Sequence, residues 1–327
     1  MKLPSALFPI LLAAVHALAP GAFAGAAQAA EFPQRPVKVL VPFPAGGAAD
    51  NAMRVIARKL TEYWQQQVLV ENSAGVHAIK AGAAAPADGY HLLLAAGSQM
   101  VTGPLLRAKL PYHPQRDFVP VGRLVTNPPV LVVHPALGVK SVKELIDLAK
   151  KKPGALNFSS SGIGSPNHLA MEMFQGLTGT DIVHVPYKGG APSVVELVGG
   201  QVEMAINAIP SVLMHIRSNK LVPLAVASAE RARALPQLPT LAEAGVPGFD
   251  YTIWYALFAP AKAPPAVLDK ISADLQRALA DPEVARLLLE QGNEPAPSSS
   301  AALAQFMQQD SQRWARLIRE RNLKIEE

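Results

Sequence analysis

Val37, Val39 and Val41 alternate along the chain while Leu40 fills the opposite face, a period of two that predicts a buried strand. Pro42 and Pro44 end its hydrogen-bond ladder, and Gly46 and Gly47 let the backbone come close to another group. Met53, Ile56, Ala57, Leu60 and Trp64 then recur at helical spacing, so a helix is expected to open at Ala49 or Asp50. A helix start aimed from a strand end offers free N–H groups and the positive end of a dipole, which suits an anion. Read alone, the same turn serves equally well as a plain strand–helix connection.

The alternation continues. Strands are expected over 67–70 and 90–95, with an Ala-rich helix between them that stops at Pro86. The order β-α-β-α-β predicts a parallel sheet covered by helices. Residues 103–120 are Pro-rich and read as irregular, and 130–134 as a strand. Ser141 and Glu144 form a capping box for a helix that ends at Pro153-Gly154.

A second unit of the opening kind follows. A strand at Leu156–Phe158 leads into the small-residue loop Ser159–Gly164, then an N-cap at Ser165 with Pro166 at the first helical position. Leu169, Met173, Phe174 and Leu177 are the expected apolar face of that helix. Further strands are expected over 181–185, 202–206 (ending at Asn207), 221–227 and 253–259. A short helix is expected over 241–244. The remainder reads as helices, one opened by Asp281-Pro282 and a last one after a linker at 295–300.

Composition narrows the chemistry. At 327 residues the chain has room for about two domains. It has no cysteine, which removes disulfides, thiolate catalysis and cysteine metal sites. The net charge is +5 with basic residues dispersed and no basic–aromatic interleaving, so no nucleic-acid partner is expected. Lys2, the apolar run Leu7–Ala19 and Ala27-Gln28-Ala29 form an export leader over 1–29, cleaved after Ala29; Ala22-Phe23-Ala24 is a second candidate. The expected location is therefore the periplasm.

No nucleophile elbow, phosphate loop, dinucleotide fingerprint or metal-ligand spacing occurs, so no enzyme, metal or cofactor is expected. His168 could pair with a nearby serine, but no carboxylate is obviously placed to orient it, and a hydrolase is disfavoured. Glycines, serines and helix starts without a base suit binding of a small anion.

Several motifs carry a resemblance: Val41–Asp50, Pro86–Tyr90, Asp117–Val121, Ser161–Ala170, His184–Pro192, Gly199–Val202, Pro236–Gly245 and Leu257–Pro260. In this order, across the whole mature chain, they resemble the Bug family of periplasmic solute-binding proteins, receptors of tripartite tricarboxylate transporters. The resemblance implies an α/β, two-lobed Venus-flytrap fold, each lobe a mainly parallel sheet flanked by helices. It implies lobes over 30–127 with 251–327, and over 128–250, and hinge motion near 126–130 and 249–253. It also implies a small organic carboxylate ligand, inner-membrane transporter subunits as partners, and a monomer; the alternative role is a ligand sensor for a signalling partner. The implied ligand-binding residues are Phe43, Pro44, Ala45, Gly46 and Gly47 in the first loop, Ser160, Gly162 and Ser165 in the second, and Asn207. Asp50, His77 and Ser98 complete the candidate set. The chain departs from the family in a shorter 73–77 loop, and in Asn207 where many relatives carry an acid. The second departure predicts a ligand without an amino group.

Overall fold

In the computed structural model, residues 32–73, 75–107 and 109–320 are described; the expected leader and Ala74 of the 73–77 loop lie outside them. From Pro33 onward the chain forms one body. In order, the elements are β1 (Val37–Val41), α1 (Ala48–Trp64), β2 (Val68–Asn72), α2 (Gly75–Ala84), β3 (His91–Ala96), a π-helical turn (Ser98–Thr102), α3 (Gly103–Leu106) and α4 (Pro114–Asp117). Then come β4 (Phe118–Asn127), β5 (Pro129–Val133), α5 (Val142–Lys151), β6 (Asn157–Ser160), α6 (Pro166–Thr178), β7 (Val183–Pro186), α7 (Gly190–Val198) and β8 (Met204–Ala208). The chain ends with α8 (Ile209–Arg217), β9 (Val222–Val226), β10 (Ile253–Pro260), α9 (Pro265–Ala280), α10 (Pro282–Glu290), β11 (Glu294–Pro295) and α11 (Ser300–Glu320).

Two sheets result, one ordered β11-β4-β10-β3-β1-β2 and the other β7-β6-β8-β5-β9. The two-lobed α/β fold is as the resemblance implies, but the sheets are mixed rather than mainly parallel. Parallel pairing holds for β1 with β2 and β3, and for β6 with β7 and β8. Antiparallel pairing enters with β4, β5 and β10, the strands on either side of the crossings between sheets. A chain that crosses out and returns must run the second pass in the opposite sense. Of these strands, β5 and β10 have every residue buried, as has β8.

The buried face of α1 is the expected one, including Met53, Ile56, Leu60 and Trp64. In α6 the phase differs. Leu169, Ala170, Met171, Phe174 and Thr178 are buried, while Leu177 is 37% exposed and Met173 half-buried. Several elements lie where none was expected: the π-helical turn, the short α3 and α4 inside the stretch read as irregular, β11, and above all β4 and α8. β4 carries Pro120 and Gly122, which weaken any strand reading, and its pairing with β10 shifts register once between these two residues and once between Arg123 and Val125. α8 follows β8 directly, with Pro210 in its first turn. Residues 241–244, expected as a short helix, form turns.

Candidate functional site

The first loop is held from beneath by one carboxylate. Asp50, 1% exposed in the first turn of α1, accepts hydrogen bonds from the Gly46 N–H (2.8 Å), Arg54 Nε (3.0 Å) and Asn72 Nδ2 (2.9 Å). Asn72 at the end of β2 also donates to the Phe43 carbonyl (3.2 Å), and Arg54 donates to Asn72 Oδ1 (2.9 Å). Burial alone would raise the pKa of Asp50, but the hydrogen bonds from Arg54, Gly46 and Asn72 outweigh it and hold the carboxyl below its ordinary value. Gly46 sits at φ +78°, a conformation natural to glycine, and Gly47 is the N-cap of α1.

This bracing settles which groups of the loop are free. The Gly46 N–H is used by Asp50 and the Gly47 N–H by the Pro44 carbonyl (3.3 Å). The amides of Ala48, Ala49 and Asp50, the first three of α1, have no acceptor among the described residues. Pro44, Ala45 and Gly46 are exposed, and the half-buried Phe43 packs its edge on Tyr255 at 5.5 Å.

The second loop is more self-contained. Ser160 is fully buried, with its Oγ 2.6 Å from His184 Nε2, and it also bonds the Gly162 carbonyl and amide, each at 3.1 Å. Ser165 caps α6 by accepting from the His168 N–H (3.4 Å), and Pro166 brings no N–H. The α6 start therefore offers fewer free donors than the α1 start. Asn167 ties the loop to β8, donating to the Ile206 carbonyl (2.9 Å) and to Asn207 Oδ1. Asn207 is 2% exposed, and its Nδ2 has no hydrogen-bond partner among the described residues.

Behind this loop lies a ring stack of Phe158, His184 and His168. The His184 centroid is 4.8 Å from Phe158 and 4.0 Å from His168. The Gly164 N–H donates to His168 Nδ1 (3.0 Å), so the opposite nitrogen carries the proton and faces Glu172 Oε1 at 3.4 Å. A carboxylate is thus placed beside His168, one helical turn on, although the serine partner is His184 instead. Burial, followed by repulsion from His168, pushes the His184 pKa down to about 4, against a partly offsetting Glu172. The unfolded chain titrates this group near ~6.5, so it binds more protons than the native state between the two values. The stability tied to His184 is complete above that range and is lost as pH falls through it. Urea unfolding at pH 7.5 and 4.5 is expected to show this loss, and His184→Gln to flatten the slope by roughly 1 kcal/mol after solvent screening. An unchanged slope would remove His184 as the titrating group.

Of the other candidates, His77 is exposed on α2, apart from both loops' hydrogen-bond networks. Ser98 opens the π-helical turn and lines a small void with Thr102, Pro166 and Trp254, drawn from both lobes. Thr102 Oγ1 is buried there without a partner among the described residues. No hydrogen bond joins the first loop to the second among the described residues. Arg54, one helical turn from Asp50, lies in no quoted motif, and Asn72, Asn167 and His184 escaped the sequence reading because each acts through contacts far along the chain. Their only signal was position at a strand end or inside a quoted motif. Among the described residues, no group of side chains is placed to hold a metal ion, and no helix is long and apolar enough to cross a membrane.

Comparison with known proteins agrees with this geometry. Residues 52–323 match the family described as tripartite tricarboxylate transporter family receptor. Protein BugT of Bordetella pertussis is 37% identical over 312 residues, covering 94% of this chain and 96% of BugT. The solved structure of R. palustris Rpa4515 with adipate superposes with a TM-score of 0.86 at 32% identity, over 90% of this chain and 99% of that one. MatC from Rhodopseudomonas palustris with bound malate gives 0.79 at 30% identity, over 88% and 100%. The chain belongs to the Bug-type receptor family of tripartite tricarboxylate transporters.

Proposed function

We propose that this chain captures a small organic carboxylate in the cleft between its sheets and delivers it to inner-membrane transporter subunits. The observation that carries this is the α1 start, where three consecutive amides stand free over a loop fixed by a buried carboxylate. A single helix start contributes roughly 0.3–1 kcal/mol to anion binding, and up to ~2 when partly buried, so closure must add the second loop. The lobes in this reading are 30–127 with 251–327, and 128–250, hinged near 126–130 and 249–253. Phe43–Gly47 cradle one carboxylate, with Ser98 on the same lobe and Gly162, Ser165 and Asn207 across the cleft. Asp50 and Ser160 hold their loops in shape. The protein works as a monomer in the periplasm after loss of residues 1–29. The relatives that hold adipate and malate support the ligand class.

The neutral Asn207 amide gives no anionic partner for an ammonium group. Succinate is therefore expected to bind more tightly than aspartate; the reverse order would refute this preference. A thermal-shift screen with adipate, malate, succinate and citrate tests the class. Saturation at a hundredfold over Kd adds about 2.7 kcal/mol of stability. Gly46→Val keeps open space around its side chain but forces a β-branched residue to φ +78°, straining the loop by about 1–3 kcal/mol. The variant is expected to fold and to lose the ligand-induced shift. If no carboxylate stabilises the wild type, the ligand class is wrong.

A further inference from the structure

A cavity of about 500 Å³ lies at the hinge, on the opposite side from the candidate loops. The strand orders place it. The first and second loops hang from β1 and from β6, on one side of the crossing strands β10 and β5. The cavity is walled by the ends of β4 and β11 in one sheet and by the segment after β9 in the other, beyond those same crossings. Its size falls within the range of small-molecule sites, about 300–1,000 Å³. None of the candidate carboxylate-binding residues lines it.

The charges on its wall are only partly matched. Arg313 is satisfied by Asp250 and Asp310, each at 3.1 Å, and Arg231 by Glu243 at 2.9 Å. Two guanidinium groups remain without a carboxylate among the described residues. Arg123 is half-buried over the Phe306 ring at 4.9 Å and donates its Nε to the Ala296 carbonyl (3.1 Å), leaving its terminal nitrogens unspent. Burial lowers its pKa, the signature of a cation short of partners. Arg233 on the opposite lobe is exposed and has no side-chain ion pair among the described residues. Two carboxylates are equally unmatched by any cation there: Glu230, and Glu294, whose one bond comes from the Arg233 backbone N–H at 2.9 Å. A half-buried guanidinium gains most from a charge-assisted, two-pronged bond to a carboxylate. Two cations and two anions, with the edge-to-face Phe306–Trp254 pair (5.6 Å) also on the wall, match a ligand carrying both charges on an apolar body.

We propose that this rear cavity is a second binding site, one for a small zwitterion of the apolar α-amino-acid class. The ligand carboxylate sits on Arg123 and Arg233, and its ammonium on Glu230 and Glu294. Trp254 stands between this site and the small void beside Ser98. Its indole lines both cavities and packs so closely on Gly97 that a Cβ there would lie 2.6 Å from Nε1. Occupancy behind the hinge therefore bears on the backbone next to Ser98.

Calorimetric titration of the mature chain with L-phenylalanine, 3-phenylpropanoate and phenethylamine tests the assignment. L-Phenylalanine is expected to bind at least about tenfold more tightly than either singly charged analogue, and to retain its affinity in Gly46→Val. Arg123→Gln is expected to weaken it about tenfold or more. Arg233→Gln, at an exposed position with no folding risk, is expected to weaken it about fivefold while front-cleft succinate binding persists. The site is overturned if L-phenylalanine does not bind, or if its binding is lost in Gly46→Val and kept in the arginine variants. It is also overturned, as a zwitterion site, if 3-phenylpropanoate binds Gly46→Val as tightly as L-phenylalanine does. The outcome stands apart from the front-site reading, which is judged on carboxylates and Gly46→Val alone.

Discussion

Asp50→Asn is expected to cost about 2–3 kcal/mol of stability and to abolish carboxylate binding in the same variant. The native carboxylate meets three donors from three separate parts of the chain: the Gly46 amide, Arg54 and Asn72. An amide in its place offers one acceptor oxygen and an NH2 that only donates, so at least one of those donors faces an N–H. Removing one partner of a buried pair normally costs more, about 3–5 kcal/mol. Arg54 is half-exposed and keeps its bond to Asn72 Oδ1, so its charge stays solvated, which sets the lower figure. The loss of binding follows from position, since the freed Gly46 N–H no longer fixes the turn beneath the α1 amides. The native carboxyl titrates below its unfolded value, so its stabilisation is present above about pH 4 and disappears as pH falls through the lowered value. The variant lacks this acid-side slope. Urea denaturation at pH 7 and 3 with a succinate thermal shift measures all three effects. Near-native stability together with an unchanged shift would show that Asp50 does not organise the loop.

Phe158→Ala is expected to lose about 3–5 kcal/mol, the usual cost of truncating a fully buried phenylalanine. Its particular consequence is at the second loop. Phe158 stacks on His184 at 18° between ring planes, and the half-buried imidazole is what holds Ser160 at 2.6 Å. Opening a cavity beside that ring admits water and removes part of the desolvation that depresses its pKa. The His184 titration followed by NMR should move up from about 4 toward the ordinary histidine range. Phe158→Leu, which keeps most of the volume, is expected to cost under about 1.5 kcal/mol and to leave the titration nearly in place. A His184 midpoint unmoved by Phe158→Ala would mean that the ring does not shield it.

Much of the scaffold is written locally. The α1 stripe, the Ser141 and Asp281 caps, the Ser165-Pro166 helix start and the glycine turn at 46–47 depend on neighbours within a few residues, so spacing alone reveals them. β4 was illegible because Pro120 and Gly122 break its local pattern, and only pairing along β10 makes a strand of it. The mixed sense of the sheets was hidden for a similar reason. Each strand's direction depends on which crossing precedes it, a property of the path and not of any segment.

The site divides along the same line. By itself the sequence determined the two glycine- and serine-rich helix starts, the absence of cysteine chemistry and, through ordered motifs, the family. Only the tertiary structure decided which polar groups remain free. The Gly46 and Gly47 amides and the Ser160 hydroxyl, all plausible ligand donors by residue type, are consumed by Asp50, Pro44 and His184. The amides of Ala48, Ala49 and Asp50 are left without an acceptor among the described residues. A hydrogen-bonding group can be spent once, and its partner here lies four residues away in one case and twenty-four in another. Residue type fixes what a group can donate or accept; only the folded path fixes whether that capacity is still free.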